Sequence, residues 1–475
     1  MSIEVLKMIF KSPTALVASV VLLLASSGCT TNAPTNTAGP VAPTASASPA
    51  ATASPIASPT PSATATAANL PVTLPVLDAM FADESFAGEL KSKLQLTDEQ
   101  VTRLREIARE ETAKLSEQGA ESGTTKDATR RASEKIKSVV GDEKATAFNA
   151  FISERWSGGE GALAAKPNAV PTDTRIVVNA PAYRMDVFEG GKLLKTYRVG
   201  IGYPEFPLPQ GLRKADTIIF NPTWTPPDEP WVKGKVKAGE RVEAGSKLNP
   251  LGPIKIPIGQ PSLIHGGKRP ARLGNFASHG CVGLTDDMVR DFAVVLATAS
   301  GTQLKPEDVL NYAKTPDKTQ SVKLAAPVPV ELRYETIVVE DGRLHIYRDV
   351  YDKGTNTEEN LRRVLEAYGV KLEDLSEQER AQVLDALHLM ARDAYGNPTE
   401  DAAASPTPTP AAKGKEKDKK KSGSVTYSVK GQKEATIDIA ALSGKGYPAP
   451  VNLMGGPAPQ QQSPAASPKK KAAGR

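Results

Sequence analysis

Hydrophobic positions recur at helical spacing between residues 71 and 160. Val101, Leu104 and Ile107 fall on one face of a helix, which predicts an amphipathic α-helix. Residues 97–100, Thr-Asp-Glu-Gln, have the pattern of a capping box, in which the first and fourth side chains bond to each other's backbone N–H groups. This part of the chain is therefore predicted to be a helical region.

From residue 174 to residue 348 the pattern changes to short runs rich in β-branched and aromatic residues. Such runs predict strands, and their number fits a mainly β domain with a single core. The runs at 183–188 and 193–199 flank Gly190-Gly191, which predicts a β-hairpin. Residues 286–298 carry closely spaced apolar side chains and are the predicted helix of this domain.

The end of the β-rich part predicts a second antiparallel pair, made from residues 328–339 and 344–347. After it, residues 356–395 return to helical spacing and predict a helical pair. Asn356 and Ser376 are its predicted N-caps, because each stands three residues before a glutamate.

Composition removes two long segments from any predicted core. Residues 30–68 and 401–423 are built from Ala, Thr, Pro, Ser and Lys, and residues 456–475 add a Pro/Gln stretch with lysines near its end. Such segments bury too little apolar surface to offset the entropy of ordering them. Residues 424–439 alternate only weakly, and no fold is predicted for them. The predicted tether spans residues 30–70 and the predicted tail residues 400–475. We predict a disordered tether and a low-complexity, Lys-rich tail, so deletion of residues 30–68, or of everything after residue 400, should leave the domain folded. The net charge of +5 is modest, and the folded segments show no basic stripe interleaved with aromatics, which argues against nucleic acid as a partner.

The first 29 residues have the pattern of a secretory signal peptide. Lys7 and Lys11 precede an apolar run over residues 15–25, and small residues follow up to Cys29. The run is shorter than the roughly 20 residues that a membrane span needs. The ending resembles a bacterial lipobox, although Ser26 stands where that pattern usually has Leu.

Two outcomes follow for Cys29. In the first, Cys29 is lipidated and becomes the mature N-terminus, which predicts an exported protein anchored to a membrane and facing the periplasm or cell wall. In the second, cleavage follows Ser27 and Cys29 remains a free thiol near the new end. The long segment after Cys29 favours the first outcome, because a surface-anchored enzyme needs a flexible tether to reach its substrate.

Candidate chemistry is concentrated before Cys281. His265 ends an apolar run and His279 stands two positions before the thiol, and a cysteine with a histidine is a common nucleophile and base. A free thiol has a pKa of about 8.5, so it needs a histidine partner to form much thiolate at neutral pH. The backbone N–H groups of Gly280 and Cys281 are candidate donors to an oxyanion.

Two other interpretations of Cys281 are an inert buried thiol and a metal ligand. Buried free cysteine is common in protein cores. One thiol and two histidines without a carboxylate pattern do not make a usual metal-ligand set, so no metal and no cofactor are predicted.

The segments Ile264-His265-Gly266-Gly267 and Ser278-His279-Gly280-Cys281 resemble, in that order, the signature of the L,D-transpeptidase (YkuD-like) family. Residues 221–227 and 249–252 are also similar to that family. The resemblance covers approximately residues 174–348 and implies a YkuD-like β-sandwich catalytic domain with flanking α-helical segments and disordered linkers.

The resemblance also implies acyl transfer on peptidoglycan stem peptides. Cys281 would form a thioester with the peptide, and an amine from another stem peptide or from a wall protein would resolve it. His265 would be the base, while His279, Gly280, Ser278 and Gly266 would line the substrate and oxyanion site.

Gly283 departs from the family pattern, which usually has Arg or Asn two residues after the nucleophile. Lys268, Arg269 and Arg272 are candidates to compensate, by their place in the sequence only. Two further functions stay open at this point: a non-catalytic wall-binding lipoprotein, and a thiol hydrolase that trims stem peptides with water as the acceptor.

Overall fold

The computed structural model describes residues 71–115, 124–158, 163, 166–226, 232, 236–237, 239–399 and 428–455. The predicted signal peptide with Cys29, the predicted tether and residues 400–427 and 456–475 of the predicted tail lie outside the described residues. No helix in the described ranges is long and apolar enough to cross a membrane.

In the described part of residues 71–158, five helices form a layer with its own core. The predicted capping box is present: Gln100 N–H donates to Thr97 Oγ1 at 3.2 Å, and Thr97 N–H donates to Gln100 Oε1 at 3.1 Å. Leu104, Phe86 and Phe148 are completely buried between the helices. These helices are α1 Leu74–Met80, α2 Glu84–Leu94, α3 Asp98–Ala113, α4 Thr125–Val140 and α5 Asp142–Ser157.

The β-rich part is built on an eight-stranded sheet with the order β3-β2-β1-β10-β5-β6-β7-β9. Neighbouring strands are antiparallel except β1 with β10 and β7 with β9. The strands are β1 Arg175–Asn179, β2 Arg184–Glu189, β3 Lys192–Arg198, β5 Gly211–Phe220, β6 Ile254–Pro257, β7 Leu263–His265, β9 Val282–Gly283 and β10 Gln320–Arg333. A separate parallel pair is formed by β4 Ile201–Gly202 and β8 Phe276–Ser278.

The predicted hairpin joins β2 to β3. Gly190 and Gly191 both have positive φ, 53° and 84°, as a tight two-residue hairpin turn requires. The predicted helix is α6 Asp286–Ala299, which starts at its cap Thr285. It packs on the sheet, with the Phe292 ring 5.6 Å from the Tyr197 ring in an edge-to-face contact; α7 Pro306–Ala313 follows it.

The second predicted strand pair is only partly correct. Residues 328–339 are not one strand, because β10 ends at Arg333 and β11 Ile337–Glu340 starts a different sheet with β12 Arg343–Tyr347. Between the two strands the Tyr334 hydroxyl donates to Asp349 Oδ1 at 2.5 Å and fixes the turn. The end of β10 and all of β11 are buried, so the sequence on the two sides of the turn does not reveal the change of sheet.

The predicted helical pair is present as α8 Glu358–Glu366 and α9 Glu377–Met390. Ser376 caps α9 with a complete capping box. Asn356, in contrast, does not cap α8; the cap is Thr357. The Asn356 amide instead donates to the carbonyls of Tyr347 and Met390, at 2.8 and 2.9 Å, and so joins β12 to the end of α9.

Residues 428–455 correct the prediction of a coreless tail. Here β13 Glu434–Asp438 pairs with β12 as the third strand of the smaller sheet. Ile437, Ile439 and Leu442 are buried in a core with α8 and α9. Only alternate residues of this edge strand face the core, so the segment contributes a core that its weak sequence pattern did not predict. Deletion of everything after residue 400 is therefore expected to damage the fold.

Candidate active site

The strands β7 and β9 bring the predicted nucleophile and base to one corner of the large sheet. They are parallel, with Ile264 beside Val282 and His265 beside Gly283. Continuing this register places Cys281 beside Leu263. Because every second side chain of a strand points to the same face, this continued register puts Cys281, the residue directly before β9, on the same face as His265. The Leu263 N–H bonds to the Cys281 thiol, which agrees with this placement.

The turn before β9 is held by Ser278. Its Oγ accepts a hydrogen bond from Cys281 N–H at 3.0 Å and donates one to Cys281 O at 2.5 Å. Gly280 has a φ of 90°, which an L side chain rarely adopts. The carbonyl of Gly280 accepts from Ser262 Oγ at 2.9 Å. The segment that carries the thiol is therefore fixed from both sides.

This arrangement changes the expected oxyanion donors. The Cys281 N–H is already bonded to Ser278 Oγ, so it does not serve as a free donor as expected from the sequence. The Gly280 N–H has no hydrogen-bond partner among the described residues and remains the backbone donor of this turn. The Gly266 N–H is also not available to an oxyanion, because it donates to Ile254 O at 3.1 Å.

Gly266 has a packing role in the structure. A Cβ at this position would lie 2.8 Å from Val289 Cγ1 and 3.1 Å from Asp286 Oδ1. The next residue, Gly267, donates its N–H to Asp286 Oδ1 at 2.7 Å. These glycines let the end of β7 approach the first turn of α6, which fixes the position of His265.

His265 is buried, with only 3% of its surface exposed. Its Nδ1 lies 2.8 Å from Gly266 O, and the carbonyl of Leu251 also bonds to the ring. Burial, followed by the positive charge of Lys268, lowers the pKa of His265 to about 3, although the two carbonyls act in the opposite direction. An imidazole in this environment becomes protonated only when an anion faces it.

Cys281 is half-buried and is the free cysteine of the described ranges. Burial raises the pKa of its thiol, while the Leu263 N–H and the charge of Lys268 lower it by smaller amounts. Among the described residues, no hydrogen bond joins the thiol to the His265 ring. Proton transfer between them therefore requires the two groups to come together, as catalytic groups often do only in the complex with substrate.

His279 lines a different wall of the site from His265. Its ring makes edge-to-face contacts with Tyr203 and Phe206, at centroid distances of 5.0 and 4.8 Å. These two aromatics follow β4, which reaches the site by pairing with β8. Sequence reasoning missed them, because they are 70 or more residues before Cys281 and no local pattern relates them to it.

The family comparison covers the segment that builds this corner. Residues 173–314 match the model of the YkuD L,D-transpeptidase catalytic domain. This segment is a YkuD-like domain. The predicted fold class is confirmed: the YkuD-like domain is sheet-rich and is flanked by helices.

Several solved structures are similar to parts of the chain. The catalytic domain of an Enterococcus faecium L,D-transpeptidase is 16% identical with a TM-score of 0.23, and the match covers 35% of this chain and 100% of that one. A longer Enterococcus faecium L,D-transpeptidase is 17% identical with a TM-score of 0.22, and the match covers 34% of this chain and 50% of that one. An L,D-transpeptidase from Mycobacterium tuberculosis is 15% identical with a TM-score of 0.20, and the match covers 34% of this chain and 57% of that one.

Apart from that isolated catalytic domain, the match spans only about half the length of these relatives, 50% and 57% for the two longer proteins. No curated protein sequence matches the chain. At TM-scores this low the solved structures add no argument of their own, and the assignment of the YkuD-like domain depends on the family model and on the site geometry.

The helical layer touches the YkuD-like domain beside the site. Thr73 Oγ1 donates to Glu205 O at 2.5 Å, and Thr125 Oγ1 donates to Pro204 O at 2.7 Å. Both acceptors belong to the loop that carries Tyr203 and Phe206. The helices therefore hold the aromatic wall against which His279 packs.

No group of three or more metal-binding side chains converges anywhere in the described ranges. The charge of Lys268 acts on both Cys281 and His265. Arg269 is exposed at the surface. Of the three basic residues considered from the sequence, the structure brings Lys268 to the thiol.

Proposed function

We propose that the chain is a cysteine-dependent L,D-transpeptidase that acts on peptidoglycan stem peptides. The family match over residues 173–314 supports a transpeptidase-type function. The observation that carries the finer proposal is the parallel register of β7 and β9, which puts Cys281, directly before β9, on the same face as His265.

In the first half of the proposed reaction, Cys281 loses its thiol proton to His265. The thiolate attacks the carbonyl carbon between the third and fourth residues of the stem peptide. The Gly280 N–H donates to the developing oxyanion, which is the role of a preorganised donor. The C–N bond then breaks, the leaving D-residue takes the proton from His265 as its amine, and a thioester remains on Sγ.

In the second half, an amine attacks the thioester and the thiol leaves. The amine comes from another stem peptide or from an amine-bearing wall protein. His265 takes a proton from the attacking nitrogen and returns it to the sulfur, so the site is regenerated. Ser278 acts by fixing the turn, and His279 acts as part of the substrate wall.

The same proposal places the enzyme outside the cytoplasm. A signal peptide over residues 1–29 directs export, and lipidation of Cys29 anchors the protein to a membrane facing the periplasm or cell wall. Intact mass of the membrane-extracted protein tests the anchor. A mature chain that starts at Gly28 without acyl chains excludes it; a start at Cys29 with several chains supports it, because one chain alone gives only marginal membrane binding.

The reaction is tested by incubating the protein with purified stem-peptide fragments and measuring product masses. The expected result is loss of the fourth residue together with a new amide to an added amine, and no product from the Cys281→Ser variant. Loss of the fourth residue with addition of water only would instead identify a hydrolase. Binding without any product would identify a non-catalytic wall protein.

A further inference from the structure

Gly283 has no side chain, and the space beside it is filled by the side chain of Lys268, which lies in the segment after β7. Its φ is not in the left-handed region, so the backbone does not require glycine there. A Cβ at residue 283 would instead lie 2.8 Å from Lys268 Cγ, 3.0 Å from Cε and 3.3 Å from Cδ. The small residue is thus matched to the lysine that crosses over it.

The backbone holds Lys268 in this position. Lys268 N–H donates to Leu284 O at 3.0 Å, and Leu284 N–H donates to His265 O at 2.8 Å. These two bonds tie the segment after β7 to the segment after β9. Because Gly283 lies beside His265 in the β7–β9 register, the lysine stem passes over the strand that begins directly after Cys281.

The charge of Lys268 is not balanced by a carboxylate. None of the ion pairs in the described ranges includes it, and no hydrogen bond to its ammonium group is formed there. Burial lowers the pKa of Lys268; the charge of Cys281 acts in the opposite direction, and Arg272 adds a smaller lowering. A half-buried ammonium group without an acidic partner costs free energy unless it meets an anion.

We propose that Lys268 is the positioning cation of the nucleophile: it crosses Gly283, stabilises the thiolate of Cys281 and adds to the burial that keeps the His265 imidazole neutral until that thiolate forms. This inference rests on the proposed function, since it assigns a group that acts through the nucleophile. The two effects agree in sign, because a positive charge favours the anion and disfavours the imidazolium.

A purely structural role for Lys268 gives a different expectation. The contacts at Gly283 are made by the aliphatic stem, and a lysine stem often covers a surface while its charge stays in water. Methionine keeps most of the stem and removes the charge. If the stem alone matters, Lys268→Met has no effect on the titration of Cys281.

The test is the pH dependence of Cys281 alkylation by iodoacetamide in the full-length protein, followed by the mass of the peptide that contains Cys281. This reagent is neutral and reports the thiolate without stem-peptide turnover. We expect Lys268→Met and Lys268→Gln to move the profile to higher pH by about one unit, which is about tenfold slower alkylation below the pKa. Lys268→Arg should keep the parent profile.

Arg269→Met is the matched control, because it removes an exposed positive charge from the adjacent residue. It should overlay the parent. Circular dichroism melting checks that each variant is folded, and Lys268→Gln replaces Lys268→Met if the latter is unfolded. Profiles of the folded charge-removed variants that coincide with the parent would overturn the inference.

The test is separable from that of the proposed function. A parent protein that shows the Lys268-dependent profile but makes no product from stem peptides contradicts the function and leaves the inference standing. Product formation by the parent, together with an unshifted Lys268→Met profile, supports the proposed function and overturns the inference about Lys268.

Discussion

The corner around Cys281 and a second buried cluster of ionisable groups differ in how their charges are balanced. The second cluster, which we call the charged seam, consists of Arg184, Asp186, Glu340 and Tyr447. Arg184 Nε donates to Asp186 Oδ1 at 3.0 Å and its Nη1 donates to Glu340, while the Tyr447 hydroxyl donates to Asp186 Oδ2 at 3.1 Å. Every charge in the seam has an opposite charge or a donor beside it.

Around Cys281 the ionisable groups lack such balance. Burial holds His265 neutral, and Lys268 has no acidic partner among the described residues. Paired buried charges mainly fix a fold, whereas unbalanced and perturbed ones occur often at functional sites. The comparison therefore predicts that changes at the Cys281 corner affect reactivity, and that changes at the seam affect stability.

The largest effect is expected from Cys281→Ala. Under the proposed function we expect a carbapenem to acylate Cys281 of the parent, as the resemblance to the L,D-transpeptidase family implies. The variant lacks the nucleophile, so this acylation should be absent from its intact mass. The melting temperature should change little, because the side chain is half-buried and makes no buried pair. Labelling of the variant at the parent's rate would show that the acylated residue is elsewhere.

His265→Ala is expected to slow carbapenem acylation by about 10²- to 10⁴-fold, the usual effect of losing a general base. His279→Ala, its matched comparison, should have a smaller effect because its ring packs on Tyr203 and Phe206. If His265→Ala reacts as fast as the parent, or His279→Ala is the slower of the two, the assignment of the base is wrong.

The parent's pH profile gives a further test at this corner. Burial and Lys268 hold the pKa of His265 at about 3, so the free imidazole stays neutral between about pH 6 and 9. Burial raises the pKa of Cys281, so its thiolate fraction is small at pH 6 and increases with pH. The alkylation rate should therefore rise across this range. An inflection near the usual histidine pKa would contradict the prediction that His265 stays neutral there.

At the seam, Arg184→Met should lower the free energy of unfolding by about 3–5 kcal/mol, because it leaves Asp186 and Glu340 buried without their cation. Folded molecules should still alkylate at Cys281. The control is Arg343→Met, since the Arg343–Asp438 pair is 59% and 84% exposed and is worth about 0–1 kcal/mol. Urea unfolding measures both, and equal losses would remove the distinction between buried and exposed pairs.

The smallest effect is expected where the helical layer meets the aromatic wall. Thr125→Val keeps the shape but leaves Pro204 O without its donor, which should cost about 1–3 kcal/mol. Thr129→Val is the matched control, because Thr129 Oγ1 bonds only to Lys126 O within its own helix. A lower melting temperature for Thr125→Val alone would confirm that this bond supports the loop.

The predictable parts of the molecule were those with a local cause. The capping boxes at Thr97 and Ser376 and the Gly190-Gly191 turn each need only neighbouring residues, and all are present. Asn356 failed as a cap because its amide is used between β12 and α9. That use depends on residues distant in sequence, so the local pattern could not show it.

For the candidate site, the sequence predicted which segments meet but not their geometry. The order of His265, Ser278, His279 and Cys281 identified the corner, but it could not give directions of side chains or of N–H groups. The bond from Cys281 N–H to Ser278 Oγ depends on the conformation of a short turn that the motif does not specify. The contacts of His279 with its aromatic wall arise only when the distant strands β4 and β8 pair. The sequence could not distinguish Lys268 from Arg269 and Arg272; the contact of its side chain with Gly283 in the structure does.

The strand β13 has a consequence for the order in which the protein assembles. It pairs with β12 across a separation of about 90 residues, and Tyr447, further along the same segment, completes the charged seam. Closing so long a loop is slow compared with forming local helices. Until residues 428–455 arrive, β12 presents an open edge to other chains, which favours aggregation. We therefore expect the smaller sheet to be finished last, after synthesis has passed residue 455.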